Sequence, residues 1–142
     1  DCSEVYVVIE PILPVTIKPL SIDDTAYYLS KDGPFAKKNK NYEERAVQID
    51  LLKNIVQSFN NNSIGVFEAG TGVGKSFSYL IPSILWAINN KERVVISTGT
   101  INLQQQLMEK DIPEAEKIVE KKIKAVLVKG RQNYLYLQRL EE

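Results

Sequence analysis

The stretch Glu68-Ala69-Gly70-Thr71-Gly72-Val73-Gly74-Lys75-Ser76 constrains this chain more than any other. It follows a short, apolar, β-prone run at residues 64–67 and precedes apolar residues at helical spacing over 75–88. Glycines let a backbone wrap closely around an anion with several N–H groups turned inward. A helix beginning at Lys75 adds the positive end of its dipole. In that setting Ala69, Gly70, Thr71, Gly72, Val73 and Gly74 form a cradle for a polyphosphate. Lys75 reaches the β- and γ-phosphates and the Ser76 hydroxyl ligates Mg2+. The strict spacing G-x-x-x-x-G-K-[ST] is met except at Ala69, which stands where its first glycine would be. The plain alternative is a glycine-rich strand-to-helix turn with a surface lysine.

The neighbouring patterns set the expected architecture. Ile49, Leu52, Ile55, Val56 and Phe59 share one helical face, and Asn60-Asn61-Asn62-Ser63 ends that helix. Residues 64–67, 94–96 and 125–128 read as short buried strands, alternating with helices at 75–88, 101–110 and 113–121. Asn89-Asn90-Lys91 closes the second of these helices, and Pro113 breaks the chain and starts another. Gly130 opens a last helical segment. Strands alternating with helices predict an α/β fold with a parallel sheet flanked by helices. The first residues differ: Val5, Val7, Ile9, Ile12, Val15 and Ile17, interrupted by Pro11, Pro14 and Pro19, read as an extended β-rich arm or edge strand. A short helix over 21–30 carries Asp23 and Asp24 in its first turn, Asp32-Gly33-Pro34 marks a turn, and Lys37, Lys38 and Lys40 form a solvated loop or else a phosphate contact.

Composition removes several chemistries. The 142 residues contain no histidine and one cysteine, Cys2, so Ser-His-Asp and Cys-His nucleophiles, histidine metal sites and internal disulfides are excluded within the chain. One thiol fits a reducing cytoplasm, and no apolar run is long enough to span a bilayer. The 18 basic and 18 acidic side chains balance, so any contact with nucleic acid must be local. The start at Asp1 suggests an excised fragment or a processed chain.

Smaller features take meaning from the loop. Arg45 and Gln48 stand three apart at a helix start and suit a base, by guanidinium stacking and by amide hydrogen bonds, or else form a solvated helix end. Ser97-Thr98-Gly99-Thr100 follows the second strand pattern, and its hydroxyls suit a nucleic-acid phosphate or the N-cap of the next helix. Trp86 and Met108 read as core. Lys117, Lys121, Lys122 and Lys124, interleaved with Glu114, Glu116 and Glu120, read as a solvated face.

In order along the chain, the blocks Tyr42-Glu43-Glu44-Arg45-Ala46-Val47-Gln48, Glu68 to Ser76, Ser97 to Leu107 and Val128 to Leu137 resemble DinG-type helicases, relatives of the XPD group in superfamily 2. The resemblance covers roughly residues 32–142. It implies a partial RecA-like P-loop NTPase domain: residues 32–142 as the N-terminal part of motor domain 1, cut before motif II, with 1–31 as an arm or linker. It implies ATP and Mg2+ at the loop, where alanine at the Ala69 position is usual, and adenine reading by Arg45 and Gln48. Thr98, Thr100, Gln104 and Arg131 become candidates for single-stranded DNA. Movement from 5′ to 3′ is implied by the resemblance alone.

Two departures matter. Members with an iron–sulfur cluster carry cysteine where this chain has Tyr136, and a phenol cannot replace that thiolate, so the cluster is expected to be absent. No Asp-Glu dipeptide occurs in the 142 residues, so the acidic pair of motif II, like the second RecA-like domain, belongs to the remainder of the helicase chain. This segment alone is then expected not to turn over ATP. A P-loop NTPase or kinase acting on a small molecule, and a non-catalytic interaction module, are the rival readings.

Overall fold

The structure, a computed structural model, describes residues 16–39, 41–70, 74–130 and 133. The β-rich pattern of residues 5–15, Cys2, Lys40, the core of the glycine loop at 71–73, Arg131 and Tyr136 lie outside them.

Among the described residues six α-helices follow one another, each bounded by local chemistry. Helix α1 (Ile22–Tyr27) is capped by Ser21, whose Oγ accepts from the Asp24 N–H at 3.2 Å, with Asp23 and Asp24 in the first turn. Helix α2 (Pro34–Lys38) starts at a proline directly after Gly33. A Cβ at Gly33 would collide with the Tyr27 carbonyl, so the turn back from α1 needs glycine there. Lys37 and Lys38 therefore sit in a helical turn, not in the expected loop. Helix α3 (Ala46–Asn60) ends as expected, with Asn62 left-handed at φ 48°. Helix α4 (Lys75–Asn90) runs from the glycine loop to Lys91, also left-handed at φ 55°.

Pro113 does not break the chain. Helix α5 (Ile101–Gln106) passes through a π-helical turn at Leu107–Asp111 into α6 (Ile112–Val119), where Pro113 lies in the first turn. A proline inside a helix loses one N–H and presses on the carbonyl four residues back. The wide turn just before Pro113 supplies the space for that carbonyl, so the path bends without stopping. Met108 falls in this turn and is half-buried, not core.

The core lies between helices. α3 packs on α4, α1 on α3 and α6 on α4. Leu29, Leu52, Val56, Leu80, Ile81 and Ile118 are buried there, each burial contributing roughly 1.5–3 kcal/mol. Trp86 is core as expected, stacked on Phe59 at 5.3 Å with its Nε1 donating to Glu92 Oε2 at 2.7 Å. Phe35 packs edge-on against both Tyr42 (4.6 Å) and Phe77 (4.8 Å). Leu20, Ala26 and Leu29 join the same core, so residues 20–29 pack with α3 and α4. The approach to α1 is held by the last residues of two helices. Asn60 exchanges 2.8 Å hydrogen bonds with the Leu20 N–H and C=O, and Asn90 does the same with Lys18 at 2.7 and 3.1 Å.

The expected parallel sheet is not present: the described residues contain no strand and no sheet, and the architecture is helical. The runs at 64–67, 94–96 and 125–128 have no ladder partners. Ile64 is 97% exposed, Val66 93% and Val95 89%. Val126 and Val128 also face outward, while their neighbours Ala125 and Leu127 are half-buried. A parallel strand is stable when laterally paired and covered on both faces. Here the helices gather into one cluster, so these runs have neither. Among the described residues, no helix is long and apolar enough to cross a membrane.

Candidate functional site

The site begins where the chain at 68–70 approaches the start of α4. Gly74 precedes the helix with φ 73° and ψ 36°, the left-handed conformation that glycine adopts without penalty. The first N–H groups of the 16-residue α4 have no partner inside the helix and carry the positive end of its dipole. Lys75 folds back so that its Nζ donates to the Ala69 carbonyl at 2.8 Å, bringing the ammonium across the loop from the helix side. Two of its three protons remain for an anion. Lys75 is exposed and Ser76 is half-buried one residue further along. Backbone donors, an exposed ammonium and an adjacent hydroxyl fit a Mg2+-bound polyphosphate. Gly70 has open space around it among the described residues. Thr71, Gly72 and Val73 fall outside the described residues, so their share in the cradle is unplaced.

Arg45 and Gln48, expected side by side at a base, take different positions. Arg45 is exposed at the N-cap of α3, whereas Gln48 is 3% exposed. The Gln48 Nε2 donates to the Gly74 carbonyl at 2.8 Å. A Cβ on Gly74 would stand 2.6 Å from that nitrogen, so the amide occupies the space the glycine leaves. Gln48 also accepts, through its backbone carbonyl, from the buried Ser78 Oγ at 2.9 Å. The starts of α3 and α4 are thus latched twice.

Tyr42 completes this arrangement and was not singled out from sequence as a site residue. Its single hydroxyl proton is shared between the Leu29 carbonyl at 2.6 Å and Gln48 Oε1 at 3.1 Å. Burial pushes its pKa above the ordinary 10.0, Glu44 adds to the rise and Arg45 opposes it, so the hydroxyl keeps its proton at neutral pH. The only sequence signal was its place at the head of the block that ends in Gln48.

The threonine turn forms a second cluster. Thr98 Oγ1 donates to the Thr100 carbonyl at 3.2 Å, and Thr100 Oγ1 caps α5 by accepting from the Leu103 N–H at 3.2 Å. The capping role weighed for Thr100 is therefore realised, and its hydroxyl proton remains as a donor. Gln104 reaches the Val128 carbonyl at 3.4 Å, tying α5 to the extended run at 125–128. Arg131 lies outside the described residues. Among the described residues, no group of three or more His, Cys, Asp or Glu side chains is placed to hold a metal ion.

Residues 41–135 match the family described as type III restriction enzyme, res subunit. The ATP-dependent DNA helicase YoaA of Haemophilus influenzae is 38% identical over 117 residues, 82% of this chain and 18% of that protein. YoaA of Escherichia coli is 39% identical over 111 residues, 78% of this chain and 17% of its own length. The 3′-5′ exonuclease DinG of Bacillus subtilis is 36% identical over 101 residues, 71% of this chain and 11% of its length. The chain thus spans less than a fifth of each of these relatives. No solved structure matches it. The family match runs from Tyr42 and Gln48 through the phosphate loop and the threonine turn, and on this ground the chain belongs to the type III restriction enzyme res-subunit family, with the DinG-type helicases as its relatives.

Proposed function

We propose that this chain is the ATP-binding part of an ATP-dependent DNA helicase, and that the full-length protein couples ATP hydrolysis to movement along single-stranded DNA, from 5′ to 3′. The observation that carries the reading is the Gly74–Lys75 junction. A left-handed glycine, an exposed ammonium turned across the loop and the free end of α4 meet within the residues 41–135 that match the family.

In this reading the backbone of Ala69, Gly70, Thr71, Gly72, Val73 and Gly74 wraps the triphosphate. Lys75 exchanges its bond to the Ala69 carbonyl for the β- and γ-phosphates and neutralises charge there. The Ser76 hydroxyl would hold Mg2+, which would supply charge neutralisation at the phosphates. Arg45, exposed at the head of α3, stacks on adenine, and Gln48 stands behind it. Thr98, Thr100, Gln104 and Arg131 contact the DNA backbone, Thr100 through the hydroxyl proton its cap leaves over and Thr98 by exchanging its bond to the Thr100 carbonyl. The 142 residues hold no Asp-Glu dipeptide, so the acidic pair that orients the attacking water comes from the remainder of the helicase chain, as does the second motor domain. Residues 32–142 would be the N-terminal part of motor domain 1, working in the cytoplasm without an iron–sulfur cluster at Tyr136.

The test is ATP hydrolysis by the full-length protein with and without single-stranded DNA, with iron analysis of the same preparation. DNA-stimulated turnover without iron is expected, and Lys75→Ala is expected to abolish it. Turnover indifferent to DNA would replace this reading with a small-molecule NTPase, and stoichiometric iron would overturn the cluster-free assignment.

A further inference from the structure

We infer that Tyr42 is a positioning residue for the phosphate loop, acting through Gln48 on the peptide that joins Gly74 to Lys75. The inference deepens the nucleotide-site reading and rests on it. The Gln48 amide is buried, and its Nε2 holds the Gly74 carbonyl at 2.8 Å. In a trans peptide the N–H points opposite to the carbonyl of the same unit. Fixing the Gly74 carbonyl toward α3 therefore fixes the Lys75 N–H away from it, and that N–H is among those α4 leaves without an internal partner. Gln48 thereby aims one of the donors an incoming phosphate needs.

An amide on a three-bond side chain does not hold such an aim alone. Here the opposite end, Oε1, meets the Tyr42 hydroxyl at 3.1 Å, which also fixes which way the amide faces. The same hydroxyl is anchored 2.6 Å from the Leu29 carbonyl, just beyond α1, and its ring lies edge-on against Phe35 at 4.6 Å. The chain of contacts Leu29, Tyr42, Gln48, Gly74 thus ties the α1 region to the start of α4. The ordinary phenol value of 10.0 already lies above the neutral range and burial raises it further, so the hydroxyl serves as donor there. The side chain that serves the base in the sequence reading serves the phosphates here, through the backbone.

Base-free tripolyphosphate separates the two roles. In the full-length protein, displacement of a fluorescent ATP analogue by ATP and by tripolyphosphate is compared for wild type, Tyr42→Phe, Gln48→Met and the double variant. Tyr42→Phe keeps the ring contact and is expected to weaken both ligands by the same factor, about three- to tenfold, as loss of one net hydrogen bond implies. In the Gln48→Met background, Tyr42→Phe is expected to have no further effect, since coupled residues do not add. Equal affinity of Tyr42→Phe and wild type for tripolyphosphate would overturn the inference, whether or not ATP binding falls. Additive losses in the double variant would also overturn it, leaving Tyr42 a general packing role. Failure of wild type to bind ATP, or binding left intact by Lys75→Ala, would overturn the nucleotide-site reading itself and this inference with it.

Discussion

Gly74 concentrates two demands on one residue: a left-handed backbone at φ 73° and room for the Gln48 amide. Gly74→Ala meets both, at a backbone cost of roughly 1–2 kcal/mol plus displacement of the amide. A lower melting temperature and weaker ATP binding are expected together, read by thermal unfolding and nucleotide titration. Tyr42 carries a pH signature. Its folded pKa lies above the unfolded 10.0, chiefly through burial, so its contribution to stability is whole below pH 10 and declines as pH rises through the folded value. Tyr28 is raised for the same first reason and adds to the decline. Denaturation midpoints measured from pH 8 to 11 should fall at the alkaline end, and less steeply in Tyr42→Phe. The turn at Gly74 into a helix that starts with Lys75 and Ser76 was legible in sequence because its signals lie within a few residues of one another. The partner of Gln48 was not, since Gly74 lies 26 residues away and meets it only after α3 packs on α4.

Helices are the elements whose limits follow from neighbouring residues. Ser21 caps α1, and left-handed residues follow α3 and α4 at Asn62 and Lys91, where asparagine-rich turns were expected. The same turns hide a tertiary function: Asn60 and Asn90 bind the backbone of Leu20 and Lys18 as a strand neighbour would. Asn60→Ala leaves partly buried Leu20 groups without partners and is expected to cost about 1–3 kcal/mol by chemical denaturation. Asn90→Ala, whose bonds are exposed, should cost less because water replaces them. At Pro113 local reasoning predicts a break, but the π-helical turn at Leu107–Asp111 relieves the proline, and α6 is then held by Ala115 and Ile118 in the core. Propensity names the difficult residue, and packing decides whether the chain stops there.

Among the described residues the apolar surface is divided unevenly: the helices share a core against which Val94 also packs, while Ile64, Val66, Val95, Val126 and Val128 face outward. Hydrogen exchange on this chain is expected to be slowest at Leu52, Val56, Leu80 and Ile81 and fast across the three runs. Strong protection in the runs would mean that they pair in solution. Their composition indicates residues suited to burial on two faces, and it carries no information on whether a partner lies alongside. By itself the sequence determined the glycine turn that leads into α4, most helix limits, Trp86 in the core and the family. Those features close their hydrogen bonds, or show their chemistry, within a few residues. Only the tertiary structure decided that the strand-like runs stay unpaired, that the chain at 18–20 is clamped by two asparagines, and that Tyr42 and Gln48 stand against Gly74. Each of these depends on surfaces that meet only when α1, α3 and α4 pack, and no local pattern records that meeting.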